Sequence, residues 1–453
     1  MAVAAAIVAA LLRRQGGSVA VIARVAIGIA LVAPSIGWHV HRLQAGEVPD
    51  LARRHAVVAT VLELVRDPTP SSQGTGLVVI DATALRVDDR GWRDVDAPVL
   101  ALARGDSWTG LLPGQLVEVS AGFSPPRAGD DVAAVVNLVG PRSLLGRPPW
   151  WQRAAGQARS ALRASCATLS PDPRGLLPSL VDGDTSAVPV ELRTDMQSTG
   201  LSHLEAVSGE NLGIVLAVVL AASRGAGLRR RWRVAAAAIA VVGFVVLARP
   251  SPSVQRAAVM SAVTLLAMLT GRRAAARSTL AAAVVVLVAV NPFLARSVGF
   301  VLSVSATAGI VVLAPAWTSR LETRLPRPLA LAVAVSAAAQ LACTPVLIVG
   351  FGQLTPYAIP ANVVAAPAVV PATILGVAAA VVGPVLPGVG GALAWAGGLP
   401  TAAVADVAHG FADLPAAATT LAGPAAYLAA GVAALVLWRA ARRAEAGVAH
   451  EIL

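Results

Sequence analysis

His203, Glu205, Ser208, Gly209, Glu210 and Asn211 fall within one short stretch of the chain. An imidazole and two carboxylates so close together could relay a proton. The hydroxyl and amide could donate to a passing polar group, and the glycine lets backbone come near. A Ser–His nucleophile pair does not fit, because His203 and Ser208 are five apart while helix neighbours are three or four apart. An apolar run, Leu212 to Ala222, follows at once and could enter a bilayer. Polar groups persist at membrane depth when they face a bundle interior or a wet cavity. Ser208-Gly209 is a point where a helix could unwind, which is tolerated there only within protein or water. The stretch reads as the start of a pathway through a membrane.

Other residues with chemical potential are scattered. His39 and His41 could open a metal site, but no further ligand cluster lies near them, and interfacial histidines at a helix end are the plainer reading. Asp182 and Asp184 flank Gly183; they could take a cation, although Asp, Thr and Ser here also suit a turn that caps the next helix. Cys166 and Cys343 do not read as a disulfide, since the second lies in an apolar run. Three later stretches carry residues unusual for lipid. Arg256 stands at the mouth of a helix, as a snorkelling interfacial group or a pathway group. Gly299, Ser303 and Ser305 line up within one run, which suits close helix packing. Gln340 with Thr344-Pro345, then Phe351 to Pro356, then Asn362 and Pro367 interrupt the apolar pattern, and two broken helices of the kind that frame transport sites are expected.

The elements that must position these groups are mostly apolar. The chain of 453 residues is 56% hydrophobic and 13% charged, far below the quarter charged of soluble domains, so it is a polytopic membrane protein. All 36 basic residues are arginine. Residues 51–140 carry 8 Arg against 11 Asp plus Glu, so the total of +11 leaves +14 for the rest. That excess lies mainly in short loops, as the positive-inside rule predicts for any membrane protein, and does not itself point to nucleic acid. There is no phosphate-binding G-x-x-x-x-G-K-[ST] loop and no lysine to build one. No cofactor, metal or catalytic constellation is expected.

The organisation follows. Residues 1–45 hold one or more membrane segments, Ala2–Leu12 being short and Val19–Trp38 long enough to cross. Residues 50–140 change to short alternating runs: Ala56–Val65, Gly76–Val87, Pro98–Arg104, Gly114–Ala121 and Asp131–Val139. Clusters of turn-forming residues separate them, which predicts a small β-barrel of the OB type. Its charge is negative and its aromatics are Trp92, Trp108 and Phe123, so it suits a docking module as well as a strand-binding one. Residues 147–170, with Trp150-Trp151 and several arginines, form an amphipathic helix fit for the membrane surface. Residues 175–440 hold about 8–10 membrane helices and 441–453 a tail. Arginine-rich loops at Arg224–Arg233, Arg272-Arg273 and Arg320–Arg327 alternate with the apolar runs, which places the barrel outside and the C-terminus inside; the stretch 383–417 is ambiguous. The fold class is a polytopic α-helical membrane protein with an extracytoplasmic OB-like β-barrel insert.

Residues 40–440 resemble the ComEC family of competence proteins, the inner-membrane DNA-uptake channels of bacteria. The most specific element is Gly200-Leu201-Ser202-His203-Leu204 followed by Val207-Ser208-Gly209, similar to an H-L-x-x-x-S-G signature. Gly183-Asp184, Ser253 to Met260, Asn291-Pro292 through Gly299-Phe300 to Leu302-Ser303, and Thr344-Pro345 through Phe351-Gly352 to Asn362 and Pro367 agree in the family's order. The resemblance implies import of single-stranded DNA through the cytoplasmic membrane, with a lipid bilayer around the chain. It implies an extracytoplasmic DNA receptor, a separate nuclease and a cytoplasmic ATP-driven motor as partners. It puts His203, Ser208, Gly209, Asn211, Arg256, Gly299, Ser303, Gln340, Pro345 and Asn362 on the path or in the signature. Many members carry a C-terminal metallo-β-lactamase-like domain. This sequence holds no H-x-H-x-D-H cluster and is expected to have no nuclease of its own. Glu205 and Glu210 depart from the apolar or small residues expected there, and two carboxylates repel a polyanion unless protonated or paired. A proton-coupled small-molecule transporter and a membrane scaffold docking partners on its outer domain remain the alternatives.

Overall fold

The computed structural model describes residues 33–441 except 71–75, 128, 206, 250, 271–274, 421–427 and 438. Most of the predicted first membrane segment, part of the predicted last one, the loop at Arg272-Arg273 and the tail after residue 441 lie outside the described residues. The chain divides into two compact units.

The smaller unit is the barrel. Helix α1 (Glu47–Arg53) precedes β1 (Val57–Leu64), β2 (Thr69–Pro70), β3 (Leu77–Asp88), β4 (Trp92–Arg104), β5 (Leu116–Ser124) and β6 (Ala134–Leu145). The sheet order is β1-β5-β6-β4-β3, and β1 also pairs with β3, which closes a five-stranded barrel; β2 adds a short strand to the edge of β3. β4 and β6 run parallel from Val99↔Ala134 to Leu102↔Asn137, and the other pairings are antiparallel. This is the OB arrangement. Strict alternation makes it close: Val78, Ile80, Ala82 and Ala84 of β3 point inward while their neighbours stay half-exposed. Val117, Val119, Ala121 and Phe123 of β5 fill the same interior. All five predicted strands are present, most of them longer than the sequence pattern suggested.

The larger unit is helical. Its elements are α2 (Trp150–Cys166, which begins in the barrel unit), α3 (Pro171–Asp182), α4 (Val190–Ser198), α5 (Gly209–Gly225), α6 (Arg230–Ala248), α7 (Pro252–Thr270), α8 (Ala276–Val290), α9 (Val298–Leu321), α10 (Arg327–Phe351), α11 (Ala358–Val382) and α12 (Pro387–Ala412). A further apolar helix covers Leu428–Ala441. Among the described residues six helices are long and apolar enough to cross a membrane: α6, α7, α9, α10, α11 and α12. The chain is a polytopic helical membrane protein with a barrel insert. The ambiguous stretch after residue 383 is largely α12, 26 residues long. In α2, Trp150 and Trp151 are exposed while Leu162 and Cys166 are fully buried in the core shared with α3, α4, α11 and α12, so the later part of its apolar stripe is used inside the protein.

Two expected breaks are absent. α10 runs unbroken through Pro345, and α11 runs unbroken through Asn362, Pro367 and Pro371. A proline frees one carbonyl, but packed neighbours and nearby hydroxyls hold such a helix together. Thr344 Oγ1 donates to Gln340 O at 2.7 Å in the loosened turn, and Asn362 Nδ2 donates to Ala358 O at 2.8 Å in its own helix. Between these two helices the chain breaks at Gly352, which caps α10 in the left-handed conformation (φ 64°) before the short strand β7 (Gln353–Leu354).

Small residues set how closely the helices lie. On α10, Ala330, Ala334, Ala338 and Ala342 recur at four-residue spacing and are buried. Gly309 of α9 meets that stripe. A Cβ there would stand 2.5 Å from Ala338 O and 2.7 Å from the Ala342 methyl. With no hydrophobic drive between helices in lipid, such close backbone contact is a main source of association. Gly309→Leu is therefore expected to force α9 and α10 apart and to cost roughly 1–3 kcal/mol or more, as overpacked cores do. The check is the thermal unfolding midpoint in detergent, which should fall, whereas Gly243→Leu, at a position open on the glycine's side, should change it little.

Candidate functional site

The signature segment is pinned from below. Leu201 is fully buried and Leu204 nearly so, both in the core that joins α3, α4, α11 and α12. Gly200 has φ 74°, and a Cβ there would stand 2.7 Å from the Ala358 methyl, so glycine is needed for both conformation and space. Ser202–Leu204 form a short 3-10 turn. Ser208 is extended, and its Oγ accepts the Asn211 N–H at 3.3 Å, an N-cap that starts α5 at Gly209. The expected unwinding point at Ser208-Gly209 is thus the beginning of a helix; the serine cap stabilises that start.

From this segment the side chains diverge. His203 is exposed, with Nδ1 3.1 Å from Gly200 O. Glu205 is 8% exposed. Its carbonyl accepts Ser179 Oγ–H, its Oε2 lies 3.9 Å from Arg193 Nε, and Oε1 has no hydrogen-bond partner among the described residues. Burial pushes this carboxyl above its ordinary range, and Arg193 pulls it back in part. Asn211 is 1% exposed and ties α5 to α3 through Nδ2–H to Leu180 O at 2.7 Å. Glu210 is exposed in the first turn of α5, where the helix dipole favours a negative charge.

A polar seam joins α5, α7 and α9. Gly209 N–H donates to Ser253 Oγ at 3.3 Å, and Ser253 Oγ lies 3.1 Å from Ser303 Oγ. Arg256, 7% exposed, donates from Nη1 to Ser303 O and Thr307 Oγ1; Thr307 in turn donates to Ser303 O at 2.9 Å. Arg256 Nε has no partner among the described residues, and Nη2 would lie 2.8 Å from a Cβ on Gly209. The arginine is therefore neither snorkelling nor at an open mouth. It is drawn inward because α9 offers acceptors at membrane depth.

A second polar group lies behind the signature. Gly183 caps α3 with φ 78°, and Asp182 Oδ1 accepts Asp184 N–H at 2.9 Å. Arg159 donates to Asp182 O at 2.7 Å and Leu247 O at 3.0 Å, and is 3.9 Å from Asp182 Oδ1. Asp182 Oδ2 has no hydrogen-bond partner among the described residues. Burial pushes the Asp182 carboxyl up to about 6, against the pull of Arg159. Burial, with the Asp182 charge, also pushes the Cys166 thiol up to about 12, which denies it a nucleophile's role. Between these groups and the signature lies a cavity of about 270 Å³, lined by Gly183, Thr185, Ser202, Glu205, Val207, Ala248 and Ser251. No three His, Cys, Asp or Glu side chains gather to hold a metal ion among the described residues.

Of the predicted residues, Gly209, Arg256 and Ser303 come together, with Ser208 and Asn211 at the same helix start. Gln340 is separate, its Nε2 3.4 Å from Thr355 Oγ1. Gly299 does not mediate a close helix contact: it is exposed, and the nearest atom to a Cβ there would be its own neighbour Ser297 at 3.9 Å. Gly299, Ser303 and Ser305 do not share one contact, because residues two apart on a helix point different ways. Pro345 and Asn362 are held within their own helices. Ser253 and Thr307 belong to the seam and were not anticipated as site residues, although Thr307 follows Ser303 at helix-neighbour spacing. His409 was also missed: Nδ1 is 2.6 Å from Asp195 Oδ2 and Nε2 3.2 Å from Asp172 Oδ2, partners 214 and 237 positions away.

The family described as Competence protein matches residues 180–445, which hold the signature and the seam. A curated relative, ComE operon protein 3 of Bacillus subtilis (strain 168), is 29% identical over 199 residues. That match covers 44% of this chain and 25% of the relative, so the chain spans about a quarter of the length of the protein it matches. No solved structure matches the chain.

The buried carboxylate Asp182 gives a pH signature. Its folded value of about 6 lies above the ordinary 3.8, so the neutral form is favoured on folding. The resulting stability is full below the ordinary value and is lost as pH rises through about 6. Asp182→Asn, which keeps the acceptor for Asp184 N–H, should flatten this slope. Relative to the parent it should gain on the order of 3 kcal/mol on going from acid to neutral pH. Unfolding midpoints of parent and variant measured across that range are the check.

Proposed function

The chain belongs to the Competence protein family, and on that premise we propose that it is a channel that carries single-stranded DNA inward across the bacterial cytoplasmic membrane. The observation that carries this reading is the buried seam. Arg256 is held among apolar helices, against the amino end of α5, with the hydroxyls of Ser253, Ser303 and Thr307 around it. A polyanion crossing the bilayer needs contacts that favour negative charge and still release it. Helix amino ends and hydroxyls are such contacts. An arginine with one nitrogen already committed to α9 supplies positive potential without closing on a phosphate as a free guanidinium would.

On this reading the barrel lies outside the membrane and the C-terminus inside, in keeping with the arginine-rich loops at Arg229–Arg233 and Arg320–Arg327. A DNA receptor and a nuclease outside, and an ATP-driven motor inside, would supply capture, strand separation and force. The competing reading, a proton-coupled carrier, draws on the buried Glu205 carboxyl. It predicts solute flux that follows pH in vesicles offered no DNA.

The test is uptake of labelled linear DNA by cells that depend on this chain. Arg256→Gln should lower uptake at least about tenfold, and His203→Ala should lower it as well, at membrane abundance equal to the parent. Uptake by the parent that persists unchanged in both variants would remove the path from this region. A parent that imports no DNA would remove the channel itself.

A further inference from the structure

The turn between α5 and α6 gathers positive charge that its neighbours do not balance. Arg224, Arg229, Arg230, Arg231 and Arg233 lie close in sequence, and no Asp or Glu occurs between Glu210 and Glu322. None of the five has an ion-pair partner among the described residues, whereas the barrel pairs Arg42, Arg54, Arg66 and Arg93 with carboxylates. Arg224 is well placed, since it stands in the last turn of α5, where the helix dipole favours a cation. The other four are not. They stand at the amino end of α6, where the same dipole disfavours positive charge. No side chain caps that end, and its first turn holds no acid. By contrast α3, α4 and α5 carry Asp172, Glu191 and Glu210 in their first turns. The turn itself is tight. Gly227 has φ 70°, Gly227 N–H donates to Arg224 O at 3.0 Å, and Leu228 N–H donates to Ser223 O at 3.1 Å. Val234 and Ala237 then bury this end of α6 in one core with Leu216, Leu220 and Leu265.

The faces of α6 say which anion fits. Its buried residues Val234, Ala237, Val241 and Phe244 share one side. Trp232, 57% exposed, lies on the opposite side, about two turns before Ile239, which is 73% exposed. The indole therefore continues the outward strip of a helix long enough to cross a membrane, at the end where headgroups lie. Arg229 and Arg231 are exposed on either side of it, and Arg231 Cζ is 5.6 Å from the Trp232 ring centroid. We propose that the amino end of α6 binds the headgroup of an anionic phospholipid, with its phosphate between Arg229 and Arg231 and its chains beside Trp232 and Ile239. The phosphate meets the unpaired N–H groups of the first helical turn and offsets the arginines around them. Phosphatidylcholine carries the same phosphate with a cation beside it, so it brings no net charge. A nucleic-acid strand within the bundle would meet the other side of α6. The seam at Arg256 is also remote, since it abuts Gly209 at the far end of the 17-residue helix α5. The lipid site thus does not depend on what crosses at the seam.

The experiment uses the purified full chain, washed in detergent until no phospholipid remains with it. The probes are dioctanoyl phosphatidylglycerol and dioctanoyl phosphatidylcholine at equal concentrations, and the readout is the thermal unfolding midpoint. The parent should show a saturable rise with phosphatidylglycerol and little with phosphatidylcholine, because a ligand that binds only the folded state stabilises it. Arg229→Gln with Arg231→Gln should weaken the apparent affinity for phosphatidylglycerol about tenfold or more. Arg320→Gln with Arg324→Gln, both exposed near the carboxyl end of α9, should leave it nearly unchanged. Native mass spectrometry counts bound lipid without unfolding, and it decides if a double variant lowers the midpoint before lipid is added. No rise in the parent, equal rises with both lipids, or equal losses in the two double variants overturns the site. A single-stranded oligonucleotide that raises the midpoint through Arg229 and Arg231, where phosphatidylglycerol does not, also overturns it and makes the turn a nucleic-acid contact.

Discussion

An arginine more than nine-tenths buried among apolar helices must find its hydrogen-bond partners inside the protein, and this requirement shapes the centre of the helical unit. Arg256 is satisfied by a carbonyl and a hydroxyl of α9. Those partners are within reach only because α7 and α9 lie close and because residue 209 has no side chain. The same constraint explains the serines. Ser253 links the amino end of α5 to α9, so three helices share one polar seam in an otherwise apolar bundle. Polar groups of this kind are costly in hydrocarbon unless buried together or wet. Placing them in one seam limits that cost and makes one line through the bundle receptive to charge.

The rest of the helical unit can be understood as support for that seam. Alanine and glycine stripes on α9, α10, α11 and α12 let backbones touch, so the helices are held by contact area and not by large side chains. The segment before α5 is fixed at two points, by the buried leucines 201 and 204 and by Asn211 reaching the Leu180 carbonyl. Glu205 sits between these anchors. It is the feature least expected of a path for a polyanion, and the one charged partner the structure gives it is Arg193, 3.9 Å away.

The barrel was readable from the sequence because alternation is a local signal: Val78, Ile80, Ala82 and Ala84 declare one face within a single strand. The long apolar helices were readable for the same reason, as were the start of α5 region and Arg256 as an anomaly. Pro345 and Pro367 misled, since a rule drawn from exposed helices does not carry into a bundle where neighbours hold the loosened turn. Partnerships distant in sequence were not legible at all. Nothing near His409 announces Asp172 or Asp195, and nothing near Arg159 announces the carbonyl of Leu247. Such pairs exist only once the helices are packed.

The central claim is that DNA passes along the seam, and the most direct measurement is thiol protection during import. Ser303→Cys would be made in a chain whose two native cysteines are replaced, and labelled with a small water-borne thiol reagent. The rate would be compared with and without DNA in transit. Val190→Cys, at a position 79% exposed at the start of α4 and outside the long apolar helices, serves as the control. Engaged DNA should slow labelling at position 303 and leave position 190 unchanged. Labelling at 303 that ignores the strand would contradict it.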